Sequence, residues 1–185
     1  MALDATKVAV AVTGAVSKAL TSATAPTSQA STLTGFVDLG YVSEEGVTES
    51  SPGTGDAKLI KAWQNGATVR TVRTATDESP TYKFQLIETN KGAVETYYGT
   101  TVTQTATEGS LELDNTDTRP TNSYVIDVVD GADLERVYIP IGQVIETGDK
   151  VYANGEVIGY EITIEAQRDP VKGYNAKIWS TRLKT

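Results

Sequence analysis

The chain has 185 residues, enough for one domain with a real core, and 39% hydrophobic against 22% charged residues, an ordinary globular balance. Sixteen basic against 24 acidic residues leave a net charge of -8, which argues against tight nucleic-acid binding. No histidine and no cysteine are present, which excludes imidazole and thiol catalysis, disulfides, zinc-thiolate sites and Fe-S clusters.

Near the start, Val8, Val10 and Val12 alternate with alanine and predict a strand. The same run has the length of a signal-peptide core but lacks its positive n-region, since Asp4 offsets Lys7. Residues 17–35 are rich in Ser, Thr and Ala around Pro26 and predict an extended arm or linker. Residues 43–56, with Glu44, Glu45, Glu49 and Asp56 and no basic residue, predict a long acidic loop. Around the turn-forming Asn65-Gly66 pair, Leu59, Ile60, Trp63, Val69 and Val72 predict a hairpin. Tyr82, Phe84 and Leu86 alternate with polar neighbours as a half-buried strand with an aromatic inner face. Asn90 can cap a helix from Lys91 to Tyr98, with Gly99 placed to end it.

The rest reads as β. A Thr-rich strand starts at Val102, and a polar loop runs from Asp114 to Asn122. Tyr124, Ile126 and Val128 share one strand face before a turn at Asp130-Gly131. Strands follow over Leu134–Ile141 and Gln143–Thr147, with Pro140 marking an edge or a bulge. Asn154-Gly155 makes another turn. Beyond it Ile158, Tyr160, Ile162 and Ile164 face one way, and Val157, Gly159, Glu161, Thr163 and Glu165 the other; Trp179 lies in a last short strand. The expected fold is mainly β, a sandwich or small barrel with one short flanking helix, an N-terminal arm and a long loop, in a single domain over residues 1–185. No run reaches the 18 apolar residues needed to span a bilayer.

Candidate chemistry is sparse. Glu161 and Glu165 share a strand face about 13 Å apart by strand rise, too far for a glycosidase pair at roughly 5 to 9.5 Å. Asp114, Asp117, Asp127, Asp130 and Asp133 form an acidic region, but it lacks the glycine and glutamate of a calcium loop. The segments Val12-Thr13-Gly14 and Ser51-Pro52-Gly53-Thr54-Gly55 have no Walker lysine context. Trp63 and the nine tyrosines could line a sugar-binding face, although aromatic residues at strand spacing more often fill a core. Lys58, Lys61, Arg70 and Arg73 stand without an acid among them, a solvated edge or a surface for an acidic partner. No catalytic, cofactor-binding or metal-ligating residue is assigned.

The order of these features resembles the major tail (tail tube) protein of long-tailed, non-contractile bacteriophages of actinobacterial hosts. The resemblance lies in Gly35-Phe36-Val37-Asp38-Leu39-Gly40-Tyr41-Val42-Ser43-Glu44-Glu45-Gly46-Val47-Thr48-Glu49, in Ala62-Trp63-Gln64-Asn65-Gly66 and in Phe84-Gln85-Leu86-Ile87-Glu88-Thr89. Val12-Thr13-Gly14-Ala15-Val16 is similar too, whereas the part beyond Gly99 matches mainly in its strand-rich character. The resemblance implies a structural virion subunit, not an enzyme. Six copies would form a ring, and rings would stack into a tube that delivers DNA into the host cell without binding it. Its partners would be itself, the tape measure and the tail-tip and terminator proteins, with no cofactor and no membrane. An acidic lumen, lined by carboxylates such as Glu161 and Glu165 or by the acidic loops, would suit that role. Other readings are a carbohydrate-binding β-sandwich of a virion-surface or secreted protein, a carboxylate hydrolase, and a related tube from a secretion or contractile injection system.

Overall fold

In the computed structural model, residues 4–73, 77–114 and 118–184 are described. The strands are β1 (Thr13–Ala19), β2 (Val37–Asp38), β3 (Val42–Ser50), β4 (Ala57–Lys61), β5 (Thr68–Arg73), β6 (Thr81–Leu86), β7 (Thr103–Gln104), β8 (Gly109–Ser110), β9 (Thr121–Asp130), β10 (Asp133–Thr147), β11 (Tyr160–Gln167) and β12 (Lys177–Ser180). Helix α1 spans Lys91–Tyr98, the only α-helix among the described residues. One eight-stranded antiparallel sheet runs β2-β1-β9-β10-β11-β6-β3, with β12 pairing the first half of β10. The path does not return on itself, so the fold is sandwich-like and not a closed barrel. β3 and β1 approach each other without pairing.

Alternation builds the core. On β11 Tyr160, Ile162, Ile164 and Ala166 are buried while Glu161, Thr163 and Glu165 are half-buried on the other face. On β6 Tyr82, Phe84 and Leu86 point inward, as expected. Each of these large apolar side chains contributes about 1.5–3 kcal/mol by leaving water. α1 is placed by its caps. Asn90 Oδ1 accepts from the Ala93 N–H at 2.8 Å, and Gly99, at φ 76°, donates to the Glu95 carbonyl at 2.9 Å. Tyr97 then packs edge-on to Tyr160 at 5.4 Å and donates its hydroxyl to the Gly148 carbonyl at 2.7 Å.

Strand β10 is one 15-residue strand where two are expected. Pro140 supplies no N–H, and the ladder to β9 shifts between Ile139 and Gly142, so the strand bends there and continues. Gly142 makes the bend possible, because a Cβ would lie 2.7 Å from the Tyr124 ring.

Four expectations are corrected. Val8, Val10 and Val12 lie before β1 and are exposed. The Val12 and Val10 amides reach the Val129 carbonyl and the Asp130 carboxylate, and beyond Asp130 the chain turns, so no partner backbone is left. The region 17–35 is not an extended arm. Residues 17–19 finish β1, and the remainder folds back on the sheet with Pro26 buried and Phe36 edge-on to Tyr138. The acidic loop expected over 43–56 is strand β3 as far as Ser50, with Val42 and Val47 turned toward the core. Its outer edge is polar because no strand covers it, which hides it from an apolar pattern. The Thr-rich strand after Val102 is a two-residue ladder of β7 with β8. In the polar loop from Asp114 to Asn122, residues 115–117 lie outside the described residues, and Thr121 and Asn122 belong to β9.

Candidate assembly surfaces

The β4–β5 hairpin forms a separate two-stranded sheet. The Asn65-Gly66 turn closes it as expected, with Gly66 at φ 67° and the Ala62 N–H donating to the Ala67 carbonyl at 2.8 Å. All of β4 is exposed, including Leu59 and Ile60, and Trp63 at the tip is 97% exposed. Cross-strand register puts Lys58, Ile60, Arg70 and Val72 on one face. A two-stranded hairpin is marginal in water by itself. One carrying four cations and an uncovered apolar tip is built to be covered by something else.

The outward face of the β6–β11–β10 region has the opposite character. Glu161 pairs with Lys83 at 3.0 Å, and the Gln167 amide donates to Gln143 at 3.0 Å and to Glu165 at 3.5 Å. Glu146 opposes Thr163 on the same face. Three carboxylates against one ammonium make this wall acidic, with Ile141 beside Gln167 and exposed Ile145 among its apolar members. Glu161 and Glu165 face the same side, and an ion pair and an amide hold them, not a shared catalytic pocket.

Sequence reasoning missed Arg136, which anchors the folded-back segment. Its guanidinium donates to both Asp127 oxygens at 2.6 and 2.8 Å and to the Ser31 and Ser28 carbonyls at 2.7 and 3.3 Å. The signal was present: an Asp130-Gly131 hairpin puts Asp127 opposite Arg136. The acidic region is likewise consumed by arginines, since Asp130 and Asp133 both hold Arg182, at 2.6 and 2.9 Å. Among the described residues no group of three or more acids gathers to hold a metal ion; Asp117 lies outside them. Trp179 lies on the main sheet under the Lys177 ammonium at 4.9 Å, whereas Trp63 is in the β4–β5 turn.

Residues 1–179 match the family described as phage tail tube protein. The chain belongs to that family. It is therefore a structural component of the phage virion tail, one that self-associates into the tail tube, and the family is not an enzyme class. No curated protein matches the chain. This tail tube protein thus presents an exposed cationic, apolar-tipped hairpin and, separately, an acidic sheet face. Among the described residues no helix is long and apolar enough to cross a membrane.

Proposed function

We propose that the subunit closes into hexameric rings that stack into a hollow tube, through which DNA passes into the host cell. The observation that carries this reading is the projecting hairpin, whose apolar tip and four cations find no cover among the described residues. Head-to-tail contacts close a ring when the rotation closes, and a projecting element can bridge one ring to the next. The acidic wall around Glu161, Glu165 and Glu146 lines the lumen. Such a wall repels phosphates, whereas a basic one would bind the duplex by counterion release. The remaining partners are the tape measure protein inside the tube and the tip and terminator proteins at its ends. Negative-stain electron microscopy across a concentration series tests this: sixfold rings or hollow tubes are expected. Particles of another symmetry, or a monomer that fails to add to a preformed tail tip, would count against it.

A further inference from the structure

The two ends of the sheet path leave a groove between them. β2 pairs β1 at Ser17 and Lys18 and the Leu39 N–H donates to the Val16 carbonyl, while β3 is the terminal strand, so Thr13–Ala15 of β1 and the outer side of β3 present unpaired edges to the gap. The groove has a volume of about 760 Å³. Its lining includes Asp38, Glu44, Glu88 and Asp127 and no lysine or arginine. Three of these acids are engaged. Asp38 accepts from the Gly40 N–H, Glu88 from the Tyr41 N–H, and Asp127 from Arg136. Glu44 is exposed at the rim.

The hairpin has the matching properties. Its six-residue β5 strand is about 20 Å long, and the chain from Ala11 to Val16, whose last four residues belong to β1, lines the groove over six residues. Its charge is all positive where the groove's ionisable side chains are all acidic, and its aliphatic side chains suit exposed Val12 and half-buried Val42, Val47 and Val128. The hairpin of the same chain does not fill the groove, since its own residues are exposed. Resting on the tail tube reading, we propose that the β4–β5 hairpin of one subunit seats in the acidic β1–β3 groove of a neighbouring copy, with Lys58 and Arg70 turned toward Glu44. Strand-edge addition supplies the adhesion, and charge sets the register and excludes other surfaces.

The cysteine-free chain allows a clean test. The double variant Glu44→Cys with Arg70→Cys is assembled, oxidised mildly and run on a non-reducing gel. A ladder of covalent multimers is expected. A disulfide closed within a monomer, or intact tubes with no ladder, overturns the pairing and leaves the tube reading standing. A wild-type protein that never assembles removes the tube reading and the pairing with it. Because the cysteines delete both charges, a charge swap complements the test. Glu44→Arg and Arg70→Glu should each raise the critical concentration by about tenfold, and together restore it. Failure of the combined variant to recover, or singles that assemble like wild type, also overturns the pairing.

Discussion

At the scale of single residues, the fold depends on a few charged groups whose partners are backbone atoms. Arg136 is the clearest, with a side chain only 8% exposed and donors satisfied by Asp127 and two serine carbonyls. Its planar fork makes that combination possible, which a lysine ammonium cannot reproduce. Arg136→Ala is expected to cost about 3 kcal/mol by urea denaturation, because Asp127 and both carbonyls lose their donor. Arg136→Lys should recover only part of that loss. Asp169 organises the loop before β12 in a similar way. It is bound by the Lys172 ammonium at 2.7 Å and by the Val171 and Lys172 amides. The Lys172 hydrogen bonds hold its carboxyl below its ordinary value of 3.8. The stability it adds is therefore complete above pH 4 or so and is lost as pH falls through the lower folded value. The difference in urea midpoint between wild type and Asp169→Asn should be present at pH 6 and shrink toward pH 2; a constant difference would refute the linkage.

At the scale of elements, local chemistry was legible and the distant consequences of folding were not. The α1 boundaries could be read to the residue, because Asn90 and Gly99 act on their immediate neighbours. Asn90→Ala should accordingly lower stability by about 1 kcal/mol, measured as a shift in thermal midpoint. The β11 alternation was equally plain, since both its faces have consistent chemistry. β3 was hidden because an edge strand with a polar rim carries only Val42 and Val47 as apolar markers. The hairpin was legible as a hairpin, but Trp63, at strand spacing, fits either core filler or a sugar-binding face by sequence, and it is exposed at the tip. Apolar residues destined for another subunit look the same in sequence as residues destined for their own interior. The groove could not be read at all, since it arises only where the curled sheet brings its two ends together. Trp63→Ala should leave the monomer's thermal midpoint within about 0.5 kcal/mol of wild type, because the side chain touches solvent there. It should nevertheless weaken assembly severalfold, scored by sedimentation.

At the scale of the whole molecule, the subunit divides its surface by task. The core-facing sides of β6, β9, β10 and β11 hold the fold, and in the assembly proposed above the hairpin and groove provide adhesion while the acidic wall stays wet. If that wall lines the lumen, Glu161→Lys combined with Glu165→Lys should leave tubes intact while making them retain duplex DNA in a salt-dependent way. Retention unchanged from wild type would place the wall on the outside of the tube. The central claim is that the hairpin, not the globular body, drives polymerisation of this tail tube protein. Small-angle X-ray scattering tests it most directly, comparing wild type with a variant in which residues 57–73 are replaced by a short Gly-Ser turn. The account predicts the profile of a long hollow cylinder for the wild type and of a compact folded monomer for the variant. Cylinders from both proteins would contradict it.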